Sequence, residues 1–221
     1  MSFGTDGITT LVFDLDGTLI DSSEAVVDAF NHALREKGYA KAPPEAVAAT
    51  IGHSLSDMFA PYIPTEQDPD EMIGLFRSRF RSVCLEGSRL LPGVPEALAH
   101  LAAAGFSLGV ATTKPRYFTE PILEHLGVLQ YISAVAGAEE VEHLKPAPDA
   151  LLLVLERLGK TPQETLFVGD TPLDVGAARA AGIRVACVLT GHSPEAAVRA
   201  ANPDRIFADL RAVEDWVISR D

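Results

Sequence analysis

Apolar residues in this chain gather into short unbroken runs, separated by longer stretches in which apolar positions recur every three or four residues. The runs are residues 10–15 (TLVFDL), 106–111 (FSLGVA), 133–136 (SAVA), 165–168 (TLFV), 183–189 (IRVACVL) and 205–207 (RIF). A strand that is apolar on both faces is buried on both, which is the habit of parallel sheets covered by helices. The intervening stretches carry helix signals. Residues 95–104 run up to Gly105, 116–126 to Gly127, 148–158 to Gly159 and 172–181 to Gly182. A glycine just past the last periodic residue is a common stop for a helix.

The repeated order of helix, glycine and strand predicts an α/β fold, a doubly wound (Rossmann-like) parallel sheet. One segment interrupts the alternation. From about residue 22 to 90 the spacing is helical and no strand is evident. Ser22 or Ser23 can cap a helix reaching Lys37, with Ala25, Val26, Ala29, Phe30, Ala33 and Leu34 on one face. A second helix is predicted over residues 70–86, with Met72, Ile73, Leu75, Phe76, Phe80, Val83 and Cys84 on its apolar side. The reading is an all-helical cap domain (residues 21–90) inserted into a core made of residues 1–20 and 91–221, with Pro92-Gly93 marking the return.

Composition narrows the function. With 221 residues, 47% of them hydrophobic, the chain can bury a sizeable core. Its 31 acidic and 18 basic side chains give a formal net charge of −13. A polyanion is repelled at long range, so no nucleic-acid partner is expected. A small anion is not excluded, because local groups and a bound cation set the field inside a site. Cys84 and Cys187 lie in apolar stretches and read as buried thiols rather than a disulfide. The opening MSFGTDGITT has no basic region followed by an apolar run, and no apolar stretch nears the ~20 residues of a membrane span. A cytoplasmic protein with no membrane partner is expected, as a monomer or homodimer.

Polar residues collect where the strands end. The first run closes Phe13-Asp14-Leu15-Asp16-Gly17-Thr18, and carboxylates two apart on a strand face one side. Two such charges need a cation or a shared proton. Gly17 permits a sharp turn whose backbone N–H groups can meet a phosphate. The second run leads into Thr112-Thr113-Lys114, the third is followed by His143-Leu144-Lys145-Pro146, and the fourth ends Gly169-Asp170-Thr171-Pro172-Leu173-Asp174. Four strands thus deliver carboxylates suited to Mg²⁺, a hydroxyl and an ammonium to one edge.

DLDGT at residues 14–18, Thr112, Lys145 and GDTPLD at residues 169–174 together resemble the four motifs of the haloacid dehalogenase superfamily. The second motif, Thr112-Thr113-Lys114-Pro115, is similar to the Thr-Asn-Lys-Pro of its phosphoglycolate phosphatase branch, with Thr113 in place of Asn. The resemblance implies a Mg²⁺-dependent phosphatase with a small C1-type cap, acting on a small phosphorylated metabolite, phosphoglycolate being the first candidate. Asp14 would be the nucleophile and Asp16 the general acid and base. Metal would be held by Asp14, Asp16 (through its carbonyl) and Asp170, with Asp174 behind them or reaching it through water. Thr112 and Lys145 would hold phosphoryl oxygens, and Gly17, Thr18 and Thr113 would border the substrate. The resemblance also implies that a carboxylate kept at Asp16 goes with phosphate-ester hydrolysis or phosphomutase chemistry, where a leaving alkoxide needs a proton, and not with dehalogenation or phosphonate hydrolysis.

His53, in Ile51-Gly52-His53-Ser54, is either a substrate-facing residue of the cap or a turn residue. Arg77, Arg79 and Arg81 read as a solvated face, although one of them could clamp a substrate carboxylate. Lys114 is given no direct catalytic role, and no histidine pair has zinc spacing. The enzymatic alternatives are a sugar-phosphate mutase and an inorganic pyrophosphatase. The non-enzymatic ones are a receiver-type phosphoacceptor, which is about half this length and lacks a helical insert, and an inactive binding protein.

Overall fold

The computed structural model describes residues 7–64 and 69–219. The first six residues of the segment read as lacking a leader lie outside that range. In chain order the strands are β1 (Thr10–Phe13), β2 (Ile20–Asp21), β3 (Arg89–Leu90), β4 (Ser107–Ala111), β5 (Ala134–Ala136), β6 (Thr165–Gly169), β7 (Arg184–Val188) and β8 (Arg205–Phe207). The helices are α1 (Ser23–Glu36), α2 (Pro44–Ala48), α3 (Leu55–Phe59), α4 (Pro69–Val83), α5 (Val94–Ala103), α6 (Arg116–His125), α7 (Asp149–Leu158), α8 (Pro172–Ala181), α9 (Glu195–Ala200) and α10 (Leu210–Ser219).

All six predicted apolar runs become strands of one sheet, ordered β5-β4-β1-β6-β7-β8 and parallel throughout. Successive residues of each strand feed opposite cores. Leu11 and Phe13 join Leu108, Val110, Leu166 and Val168 against α5, α6 and α10. Val12 joins Ala111, Phe167, Val185 and Cys187 against α7 and α8. This is why the runs are apolar without alternation, and it makes the sheet doubly wound. From β1 the chain builds outward to β4 and β5, then crosses to the other side for β6, β7 and β8. The reversal puts β1 at the switch point, where ligands bind in such sheets.

Helices α1 to α4 lie between β2 and β3. The α1 residues Ala25, Val26, Ala29, Phe30, Ala33 and Leu34 are all buried, as their spacing predicts. Phe30 stacks on Phe59 at 4.2 Å between centroids, and edge contacts and stacks continue through Phe76 and Phe80 to Phe118 of α6. This aromatic file carries the apolar cluster from the helical block onto the sheet face without a break. Asn31, buried among these apolar groups, bonds both backbone groups of Ala42 (2.8 and 3.2 Å), fixing the chain that leaves α1.

Four expectations need correction. The segment from 22 to 90 does contain strand: Arg89–Leu90 pairs antiparallel with Ile20–Asp21, a ribbon of two residues a side that is too short to show a period. The helix predicted over 70–86 stops at Val83, followed by a turn in which Gly87 N–H bonds Val83 C=O. Ser22 precedes α1 but its hydroxyl does not cap it; it bonds Asp16 instead. Finally, β1 ends at Phe13, so Asp14 and Asp16 do not share a strand face.

Candidate active site

Asp14 is the first residue beyond β1, and its N–H still bonds Val168 C=O of β6 (2.8 Å), so the ladder fixes its backbone. The chain then turns over Leu15, whose carbonyl accepts from Leu19 and Ile20. Gly17 sits at φ +84°, and a Cβ there would lie 2.4 Å from Asp170 Oδ2. Thr18 Oγ1 donates to Asp170 Oδ1 at 3.0 Å, and Thr190 Oγ1 donates to Gly17 C=O at 2.7 Å. A Cβ on Gly191 would be 1.8 Å from Asp170 Oδ2. Two glycines therefore make room for that carboxylate, one from each side.

Asp170 follows β6, and Thr171 caps α8 by accepting from Asp174 N–H. Asp174 is fully buried and its Oδ2 accepts from Asp170 N–H, Thr171 N–H and Thr171 Oγ1 (3.1, 2.9 and 2.7 Å). Its Oδ1 accepts from Lys145 Nζ at 2.6 Å, so the whole carboxylate is occupied in holding other groups. Lys145 Nζ also approaches Asp14 Oδ1 to 2.7 Å, off hydrogen-bond alignment. That oxygen is buried, and its partner in the ion pair is the Lys145 ammonium.

Asp14, Asp170 and Asp174 each offer an oxygen within 4.8 Å of the others. Three carboxylates against one ammonium leave the cluster two charges short of neutral. Burial pushes Asp14 up to about 7, against the pull of Lys145 and with Asp174 adding to the rise. Burial likewise pushes Asp170 well above the usual carboxylate range, with Asp174 and Asp14 adding. For Lys145, burial would lower the pKa, and Asp14 and Asp174 outweigh it and raise it. An oxygen-only donor set of buried carboxylates and a deficit of two positive charges fit a hard divalent cation such as Mg²⁺.

Thr112 follows β4; its N–H bonds Ala136 C=O and its Oγ1 accepts from Lys114 N–H at 3.1 Å. Asp16 stands apart from the acidic cluster. Its Oδ1 accepts from Lys114 Nζ at 2.7 Å and from Ser22 Oγ at 2.5 Å. Asp16, Lys114 and Thr113 border a cleft of about 230 Å³ whose walls include Ile51, Met58, Phe76 and Phe118. His53 is exposed and also lines it, and the preceding Gly52 lies against Thr171. Arg77 lines the cleft too, whereas Arg79 pairs with Asp28 and Arg81 lies over Phe118.

Residues 11–188 match the family model of the haloacid dehalogenase-like hydrolases. The chain belongs to that family. As a haloacid dehalogenase-like hydrolase it is an enzyme, and relatives of known name extend over nearly its whole length. It is 36% identical to a phosphoglycolate phosphatase of Photorhabdus laumondii, over 92% of this chain and 91% of that one. With the phosphoglycolate phosphatase of Escherichia coli K12 the identity is 34%, over 93% and 90%. A solved haloacid dehalogenase-like family hydrolase from Streptococcus pneumoniae superposes with a TM-score of 0.86 at 25% identity, covering 94% of this chain and 97% of that one. Among the described residues no helix is long and apolar enough to cross a membrane.

Three site neighbours were given no place in the site by the sequence reading: Lys114, Ser22 and Gly191. Lys114 stands two residues after Thr112 in a loop, where no periodicity gives side-chain direction. Ser22 carried a helix-start signal that its hydroxyl does not honour. The need for glycine at 191 comes from Asp170, which is distant in sequence.

Proposed function

We propose that this enzyme is a Mg²⁺-dependent phosphatase that transfers the phosphoryl group of a small phosphorylated metabolite to Asp14 and then to water. The observation that carries the reading is Asp14 itself: a carboxylate buried just past the central strand, paired with Lys145 and clustered with Asp170 and Asp174. A carboxylate needs no deprotonation to attack, and Lys145 turns it toward the space shared with Asp170.

Asp14 forms the new O–P bond as the ester P–O bond breaks, and the departing oxygen takes a proton from Asp16. A water then gives a proton back to Asp16 and attacks phosphorus, the Asp14–phosphorus bond breaks, and phosphate leaves. Thr112 and Lys145 bind the phosphoryl oxygens, and the backbone of the Gly17–Thr18 turn borders them. Asp14, Asp170 and the Asp16 carbonyl would hold Mg²⁺, and Asp174 fixes the Lys145 and Thr171 groups around it. When bound, the cation neutralises charge on the transferring group. Residues 21–90 serve as a lid on the core formed by 1–20 and 91–221, and the cleft between them receives the leaving group. Thr113, His53 and Arg77 line that cleft. Phosphoglycolate, named for the relatives, is the first ester to test, because Arg77 offers its carboxylate a bidentate partner.

The test is phosphate release, with and without Mg²⁺, from phosphoglycolate, sugar phosphates, nucleotides and pyrophosphate, with Asp14→Asn as blank. Release that needs Mg²⁺ and vanishes in the variant is the expected result. Isomerisation of a sugar phosphate without phosphate release would overturn the phosphatase reading in favour of a mutase. Full turnover by Asp14→Asn would end the assignment of the nucleophile.

A further inference from the structure

We infer that Lys114 is the positioning residue of the acid and base, Asp16, an inference that rests on the phosphatase reading above. The lysine is 8% exposed, and its ammonium lies 2.7 Å from Asp16 Oδ1 and 3.0 Å from Ser22 Oγ. Ser22 Oγ in turn donates to the same Asp16 oxygen. Two donors thus converge on Oδ1, and Asp16 borders the cleft, which leaves Oδ2 as the oxygen that exchanges a proton with substrate and water.

The clamp draws on both halves of the fold. Lys114 comes from the loop after β4, and Ser22 from the entrance to the helical block. Phe80 of α4 lies under the ammonium, 5.2 Å from ring centroid to Nζ, within cation–π range. Phe80 also touches Phe118 edge-on, so the aromatic file of the helical block is the floor on which Lys114 rests. A buried ammonium must be paired, and Asp16 is its carboxylate partner. The pair itself joins two core residues, and Ser22 and Phe80 of the helical block close around it. Lys145 and Lys114 divide the two motif carboxylates between them: one lysine directs the nucleophile and the other the proton carrier.

A general acid matters in proportion to how poorly the leaving group departs unaided, which gives a readout that a merely structural ion pair would not move. An alkyl alkoxide needs the proton; p-nitrophenolate does not. The ratio kcat/KM reports the steps through P–O cleavage, before the phosphoenzyme is hydrolysed. Lys114→Met keeps the stem and removes the charge. Its kcat/KM should fall about 30-fold on alkyl phosphates, less than the ~10²–10⁴-fold of losing a general acid outright because Asp16 remains, and less than about threefold on p-nitrophenyl phosphate. Ser22→Ala should shift the same way by less, and Lys114→Arg should restore part of the loss. The double variant K114M/D16N should be no slower on alkyl esters than D16N alone, because both changes disable one group.

Melting temperatures with Mg²⁺ present identify the variants that are folded. Should K114M not fold, Ser22→Ala and Lys114→Arg carry the same comparison. Equal losses on both ester classes, or losses that multiply in the double variant, would overturn the positioning role while leaving the phosphatase reading intact. A wild-type enzyme that releases phosphate from no ester, p-nitrophenyl phosphate included, would overturn both.

Discussion

Replacing Asp14 with asparagine should make the metal-free protein more stable while it abolishes turnover. Burial, opposed by Lys145 and reinforced by Asp174, moves this carboxyl from 3.8 to about 7. A folded-state value above the unfolded one means that the native protein holds the proton more tightly. The contribution of this group is therefore most favourable below about pH 4, is lost as pH rises toward 7, and is fully lost above that. About three pKa units at ~1.4 kcal/mol each set an upper figure of about 4 kcal/mol. Asp170 competes for protons in the same cluster, so about 2 kcal/mol is the expected value. Asparagine cannot ionise and escapes this penalty. In a chain of this size about 2 kcal/mol raises the melting temperature by roughly 4–8 °C. The assay is thermal unfolding of wild type and variant in EDTA at pH 5 and pH 8, repeated with Mg²⁺. At pH 8 in EDTA the variant should melt higher, and at pH 5 the gap should narrow. Mg²⁺ at a hundredfold excess over its Kd adds about 2.7 kcal/mol to a protein that binds it. It should therefore raise wild type and largely bypass the variant, reversing the order. A variant that melts below wild type in EDTA at pH 8, by the same margin as at pH 5, would refute the reasoning. The Lys145 ion pair would then outweigh the repulsion among the acids.

Three further outcomes follow from particular contacts. Gly191→Ala puts a methyl group onto Asp170 Oδ2, so the Mg²⁺ concentration for half-maximal activity should rise about 10- to 100-fold, the scale of disturbed metal-site geometry. Arg77→Met should raise KM about tenfold for an ester that carries a carboxylate and leave neutral esters unchanged, whereas Arg79→Met, which breaks only the exposed pair with Asp28, should alter neither. Arg157, opposed by burial and helped by the Gly137 N–H and Arg116, holds Glu140 down at about 2, so this group stabilises the fold above pH ~4.5 and the effect is lost as pH falls toward 2. Glu140→Gln should lower stability by about 1 kcal/mol at pH 7 and by almost nothing at pH 2, as read from urea midpoints.

The sheet was legible because both of its faces are buried: Leu11 and Phe13 point one way, Val12 the other, and all three must be apolar. The helix stops were legible as well, because Gly159 and Gly182 take left-handed backbone angles at the ends of α7 and α8. The β2–β3 ribbon was not, since two residues per strand carry no period. The direction of Asp16 was lost for a related reason. Strand periodicity assigns it the same side as Asp14, yet β1 ends at Phe13 and the turn over Leu15 sends Asp16 toward Lys114 and Ser22. Motif positions thus gave the chemical inventory, and only the turn geometry distributes it.

That distribution bears on why two carboxylates so near in sequence can hold different tasks. Groups that exchange roles need matching environments; groups that keep distinct roles need different ones. Asp14 is enclosed with Asp170 and Asp174 and paired with Lys145. Asp16 borders the cleft, with one oxygen held by two donors and the other unengaged by them. A proton carrier must reach solvent or substrate in turn, and a nucleophile must be kept from water until substrate arrives. On the proposed mechanism the fold would meet both needs, with buried Asp14 at the floor of the site and Asp16 on the wall of the cleft. Exchanging the two lysine partners would therefore disable the site even with every carboxylate in place.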